Sequence, residues 1–148
     1  KGAGILKKSE EITIKIPPGI DHGEMIKISG KGEAVSRGIS GDLYIKIHIA
    51  KDPVFSREGI NILMNLDIPM SEAILGGERI IDLIGETIKI KIPKGTDSED
   101  LLKVKGKGIL YNNNKTRGDL IIKIKVRTPK KLSRHAEQLI EELKKEGI

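Results

Sequence analysis

Residues 12–49, ITIKIPPGIDHGEMIKISGKGEAVSRGISGDLYIKIHI, decide the reading of this chain because the stretch occurs twice. Residues 88–126 read IKIKIPKGTDSEDLLKVKGKGILYNNNKTRGDLIIKIKV. At an offset of 76, residues 12–32 and 88–108 share 11 of 21 positions: Ile12, Ile14, Lys15, Ile16, Pro17, Gly19, Asp21, Lys27, Gly30, Lys31 and Gly32. One extra residue in the second loop moves the offset to 77. Gly41-Asp42-Leu43 then falls on Gly118-Asp119-Leu120, and Ile45-Lys46-Ile47 on Ile122-Lys123-Ile124. Chance does not produce such a match, so the chain reads as a duplicated domain. The period is too long for a solenoid repeat, and two copies are too few for an array.

Outward from that stretch, the periodicity is mostly two. Ile12, Ile14 and Ile16 alternate with Thr13 and Lys15, which predicts a half-buried strand ended by Pro17-Pro18-Gly19. Residues 25–29 predict a second strand, and Leu43, Ile45, Ile47 and Ile49 alternate with Tyr44, Lys46 and His48 in a third. Between the copies, residues 61–68 alternate as another strand, and Pro69 stops it. Residues 71–75 predict one helical turn, capped by Ser71 and ended by Gly76-Gly77. Residues 79–84 and 87–92 predict a hairpin around Gly85-Glu86 with a type II′ turn. Residues 112–114, three asparagines, read as a loop tip. After Pro129 the period changes to that of a helix. Ala136, Leu139, Ile140 and Leu143 fall at i, i+3, i+4 and i+7, with Ser133 as cap and Gly147 as stop. One narrow apolar stripe suits packing on its own domain or on a second chain.

Composition bounds the function. The 148 residues carry a net charge of +6, no cysteine and no tryptophan, with one phenylalanine and two tyrosines. The core is therefore aliphatic, and disulfides and thiolate metal sites are excluded within this stretch. No apolar run approaches the ~20 residues of a membrane span, and no signal peptide is visible. His22, His48 and His135 lie far apart, with no HxxxH or HExxH spacing, and no serine has a G-x-S-x-G context. Gly30-Lys31-Gly32 and Gly106-Lys107-Gly108 lack the strand–GxxxxGK[ST]–helix setting of a phosphate loop. Their recurrence marks a shared turn. No acid–base pair stands out, so catalysis is not expected.

Two binding readings remain. Lys15, Lys27, Lys46, Lys89, Lys91, Lys103, Lys123 and Lys125 project from predicted strands, which permits a basic β-rich nucleic-acid-binding module. Alternating lysine is also the ordinary solvated face of a sheet that buries isoleucine on its other side. Single-strand binders add aromatic stacking platforms, and only Tyr44, Phe55 and Tyr111 are present. The other reading is a tandem module with open aliphatic sheet surface. Its natural ligand is an extended apolar polypeptide added at a sheet edge.

The segments ITIKIPPGI-D-x-G, GKGEA, SGDLYIKI, DPVFSREG, MSEAILGGE, IKIKIPKGT, VKGKGI and RGDLIIKIKV, in this order and spacing, resemble the C-terminal region of the DnaJ family of J-domain co-chaperones. The resemblance implies a mainly β fold: two tandem, similar β-sandwich-like domains plus a C-terminal amphipathic helix. It divides the chain into residues 1–52, the C-terminal part of a first substrate-binding domain, residues 53–128, a second β domain, and residues 129–148, a dimerisation helix. It implies a non-enzymatic, cytoplasmic co-chaperone that binds unfolded client polypeptides, forms a homodimer and serves a DnaK-type chaperone through a J domain outside this stretch. By the same alignment Leu43, Ile45 and Ile47 contribute to the client groove, and Leu139, Ile140 and Leu143 to the dimer. No cofactor is expected in this stretch. Lys1-Gly2 resembles the end of a C-x-G-x-G motif, which implies zinc bound upstream in the parent chain. The duplication also implies that counterparts of residues 57–87 belong upstream of Lys1, leaving the first domain short of a partner strand.

Overall fold

The alternation of aliphatic and charged residues sets the architecture, since each strand can bury only one face. The computed structural model describes residues 9–33, 39–111 and 116–148. Residues 1–8 of the lead-in, the loop at 34–38 and the asparagine tip at 112–114 lie outside the described residues. The chain forms two compact units, one of Lys1–Lys51 with Ile109–Arg117, the other of Asp52–Gly108 with Gly118–Ile148. Both units are β-rich.

In the first unit, β1 (Met25–Ile28) pairs antiparallel with β2 (Leu43–Lys46), Ile28 opposite Leu43 and Ile26 opposite Ile45. The second unit is a sandwich. One layer is a four-stranded sheet in the order β3 (Phe55–Glu58), β4 (Asn61–Pro69), β10 (Leu120–Arg127), β7 (Leu101–Val104). β4 and β10 run parallel, and the other pairs antiparallel. After β4 come α1 (Met70–Leu75) and the hairpin of β5 (Gly77–Leu83) with β6 (Glu86–Ile92). That hairpin supplies the second layer. Ile81, Ile88, Ile90 and Ile92 meet Met64, Ile68, Leu120, Ile122 and Ile124 in one aliphatic core. On β10 the inward row Leu120, Ile122, Ile124 is 0% exposed, while Ile121, Lys123 and Lys125 between them are half-exposed.

A second short hairpin, β8 (Leu110–Tyr111) with β9 (Thr116–Arg117), groups with the first unit. A Cβ on Gly19 would stand 2.1 Å from the Leu110 carbonyl oxygen, so the backbones touch there and only glycine fits. The last element is α2 (Arg134–Lys145).

Local expectations are corrected at three places. Residues 12–16 form no strand, although the same residue types make β6 in the second unit. β6 exists because β5 pairs with it, and at the offset of 76 the counterpart of β5 falls on residues 1–7, not upstream of Lys1 as expected above, and those residues lie outside the described ones. The α1 cap is Pro69 rather than Ser71, because the helix starts directly at the end of β4 with Met70. The β5–β6 turn residues are Ile84-Gly85, not Gly85-Glu86, since Leu83 pairs with Glu86. Gly85, at φ 85°, then holds the second turn position, which suits type II rather than II′. β3 is a strand that the residues do not announce, since FSRE shows no alternation of apolar residues and pairing with β4 makes it one.

Candidate functional site

The first unit copies part of the second, bond for bond. β1–β2 has the register of β7–β10: Ile28–Leu43 matches Val104–Leu120, and Ile26–Ile45 matches Leu102–Ile122. Asp42 Oδ1 accepts from the Gly30 N–H at 3.1 Å, and Asp119 Oδ1 accepts from the Gly106 N–H at 2.8 Å. Lys27 reaches Asp42 at 2.7 Å, and Lys103 reaches Asp119 at 2.9 Å. These contacts hold both carboxyls below the usual carboxylate range, led by the Lys27 hydrogen bond at Asp42 and the Gly106 N–H at Asp119. Gly32 N–H donates to Gly41 O as Gly108 N–H does to Gly118 O, each at 2.8 Å. At the far end of β2, Gly23 N–H donates to Ile47 O and Ile47 N–H to Glu24 O, as Glu99 and Asp100 do with Ile124.

The two copies differ in what covers them. Leu43, Ile45 and Ile47 share one face with Ile26 and Ile28, all half-buried, whereas their counterparts Leu120, Ile122 and Ile124 are sealed. In the second unit, β4 flanks β10 and the β5–β6 hairpin covers its inner face. Among the described residues, β2 has β1 as its one strand partner. Ile12 and Ile14 are half-buried and Ile16 is 54% exposed, where Ile88, Ile90 and Ile92 are buried. Fully burying one such side chain stabilises by about 1.5–3 kcal/mol. An aliphatic row left half-covered therefore has several kcal/mol to gain from a partner. Among the described residues one edge of β2 is unpaired, which leaves backbone donors and acceptors beside that row.

A second surface lies on α2. Ser133 Oγ accepts from the Ala136 N–H at 3.2 Å and starts the helix. Gly147, at φ 85°, ends it, with Ile148 N–H donating to Leu143 O and Gly147 N–H to Lys144 O. No residue of α2 is buried. Ala136 and Ile140 line an apolar pocket of about 630 Å³ with Pro69, Met70, Pro129 and Leu132. Leu139 and Leu143 remain 47% and 42% exposed.

His22 is a structural acceptor: its Nδ1 takes the Ile49 N–H at 3.1 Å, with the His48 ring edge-on at 5.3 Å. His135 is exposed on the first turn of α2. No group of three or more His, Cys, Asp or Glu among the described residues could hold a metal ion. No helix among them is long and apolar enough to cross a membrane.

Residues 5–129 match the family model described as the DnaJ C terminal domain. This chain belongs to that family. A chaperone protein DnaJ of Leptospira biflexa serovar Patoc is 44% identical over 149 residues, covering 99% of this chain and 40% of the relative. Those of Acidiphilium cryptum and Nitrosomonas europaea are 37% and 38% identical, covering 39% and 38% of those relatives. The chain thus spans about 40% of the length of the curated relatives it matches. In this DnaJ C-terminal region the structure places Leu43, Ile45 and Ile47 together on β2 and its continuation, and Leu139, Ile140 and Leu143 together on α2. Sequence reasoning missed the clip of Asp42 and Lys27, although the repeated Gly-Asp-Leu carried its signal. It also missed Pro69 and Met70 beside α2, which are distant from it in sequence and meet it only in the fold.

Proposed function

We propose that this chain is a client-binding, dimerising part of a DnaJ co-chaperone, without enzymatic activity and independent of ATP. Its first unit holds extended apolar stretches of unfolded polypeptide along β2, with Ile45 central and Leu43 and Ile47 beside it. The carrying observation is the half-covered row Leu43, Ile45, Ile47, whose counterparts in the second unit are 0% exposed. Backbone hydrogen bonds at an open strand edge accept many sequences, and the aliphatic row selects apolar side chains. α2 supports the dimer, because Leu139 and Leu143 stay exposed on a well-capped helix. Two weak client contacts in one dimer then act at high effective concentration. The client passes to a DnaK-type chaperone in the cytoplasm through the J domain that the family resemblance implies.

The deciding experiment is fluorescence anisotropy of a labelled unfolded apolar peptide titrated with the 148-residue chain at low and high salt. Saturable binding that barely changes with salt, and that Ile45→Asp abolishes in a folded chain, is the expected result. Binding unchanged in a folded Ile45→Asp variant removes the site. Binding that collapses with salt favours the nucleic-acid reading, since phosphate contacts weaken steeply as counterions compete. Against that reading stand the lysines themselves: Lys27, Lys89, Lys103 and Lys123 are each paired with a carboxylate.

A further inference from the structure

The corner where the continuation of β2 meets its turn is built twice. In the first unit Glu24 N–H donates to Asp21 O at 3.2 Å, and Asp21 N–H donates to Glu24 Oε2 at 2.9 Å. In the second unit Asp100 N–H donates to Asp97 O at 3.3 Å, and Asp97 N–H donates to Asp100 Oδ2 at 2.8 Å. In each corner a side chain of the turn then holds one further strand amide. Ile49 N–H donates to His22 Nδ1 at 3.1 Å, and Val126 N–H donates to Ser98 Oγ at 3.2 Å. The geometry is shared and the acceptor is not. A serine hydroxyl keeps its lone pairs at any ordinary pH. An imidazole nitrogen accepts only while it is unprotonated, and histidine changes charge between about pH 5 and pH 8.

The bond fixes the state of the ring. With Nδ1 accepting, the neutral imidazole of His22 carries its proton on Nε2. A proton added at Nδ1 takes up the lone pair, and two N–H groups then face each other. His22 is exposed, so protons reach it from water. The charged and titratable groups around it are Asp21 and Glu24 on its own turn, with Lys46 and His48 on the strand. Glu24 is turned to the Asp21 N–H. Lys46 brings its Cε to 4.0 Å from the place of a Cβ on Gly23, and the His48 ring stands edge-on at 5.3 Å. In the second unit Lys125 takes the place of His48, and Glu99, paired with Lys123, takes that of Gly23. That corner holds no imidazole.

Losing the bond lengthens a loose stretch of chain. Ile47 stays fixed through Gly23 N–H and Glu24 O, each at 2.8 Å. Among the described residues, the next ties along the chain are Ile49 N–H to His22, then Val54 and Phe55 N–H to Asp52 Oδ1 at 2.8 and 2.9 Å. The Phe55 and then the Val54 N–H hold the Asp52 carboxyl below its usual range, so that anchor stays ionised where histidine titrates. Ala50 and Lys51 lie between the two anchors. Without the His22 bond the stretch runs over residues 48–51.

We infer that His22 is a proton-operated clip on the end of the β2 strand, present in the first unit alone. The neutral ring pins Ile49 to the turn, and the imidazolium releases residues 48–51. The Ser98 clip of the second unit does not respond to pH.

The test follows amide exchange of the 148-residue chain by NMR at about pH 8 and about pH 5, the span over which histidine titrates. Each rate is divided by that of an unstructured peptide at the same pH. Ile49 should lose about fivefold of its protection at the lower pH, the worth of one hydrogen bond, while Val126 keeps its own. His22→Ser should hold the Ile49 protection at both values. His48→Gln should retain the loss, since the acceptor is His22. Imidazole ¹⁵N shifts should show the Nε2–H tautomer of His22 at the higher pH and the imidazolium at the lower. Equal Ile49 protection at both values, or a His22 still neutral at the lower one, overturns the clip. So does a loss that Val126 shares, that persists in His22→Ser, or that vanishes in His48→Gln.

Discussion

The Nδ1 atom of His22 accepts the Ile49 N–H at 3.1 Å, and in the second unit Ser98 Oγ accepts the Val126 N–H at 3.2 Å. Two chemically unlike side chains thus tie the same strand end to the same turn. His22→Ser should keep the tie and His22→Val should lose it. One hydrogen bond is worth about 1 kcal/mol, so the Ile49 amide in His22→Val exchanges roughly fivefold faster. Amide exchange followed by NMR checks this. Equal exchange in both variants would remove the tie.

The Asp119 carboxyl is held below its ordinary value of 3.8, first by the Gly106 N–H and then by Lys103. A carboxyl depressed on folding adds stability that is fully present above its unfolded value. That stability is lost as pH falls through the lower, folded value. The melting temperature of the wild type should therefore drop below about pH 4 more steeply than that of Asp119→Asn. Thermal melts by circular dichroism between pH 2 and pH 7, values on the order of the carboxylate range, compare the two. Parallel curves would contradict the assignment.

Gly118→Ala forces a Cβ to within 1.9 Å of the Ile60 carbonyl oxygen, a backbone atom that cannot swing aside. The second unit should lose about 2–3 kcal/mol or more. Gly41→Ala, with nothing within 4 Å, should cost less than about 1 kcal/mol. Urea unfolding of the two variants measures the asymmetry.

Ile122 is 0% exposed and Ile45, its equivalent, is half-buried. Ile122→Ala should cost about 3–4 kcal/mol, because a cavity opens in a sealed core. Ile45→Ala should cost about half as much. Its larger effect should appear in client affinity, read by peptide anisotropy. A stability loss at Ile45 equal to that at Ile122 would mean the row is core in both units.

Leu139 and Leu143 are exposed on α2, so replacing both by glutamate should leave the fold and its helix content intact. Light scattering at micromolar concentration should show the wild type as a dimer and the double variant as a monomer. A monomeric wild type would end the dimer proposal for this chain.

Much of this is legible in the residues. The match between residues 12–32 and 88–108 announces two similar units. Alternation alone places Leu43, Ile45 and Ile47 on one face. Ser133 and Gly147 bound α2 because capping chemistry is local. The type of the β5–β6 turn is not legible, since pairing of Leu83 with Glu86 selects it from across the hairpin.

By itself, the sequence determined the duplication, the strand faces, the aliphatic core and the final helix, all of which depend on residue types and their spacing along the chain. Only the tertiary structure decided which aliphatic row is sealed. Ile88, Ile90 and Ile92 form β6, while Ile12, Ile14 and Ile16, identical in type, form no strand. Leu120, Ile122 and Ile124 are core, while Leu43, Ile45 and Ile47 are half-open. Periodicity states which side of a strand is apolar. Whether a hydrogen-bonding neighbour and a covering layer arrive depends on segments distant in the chain, such as β4 beside β10.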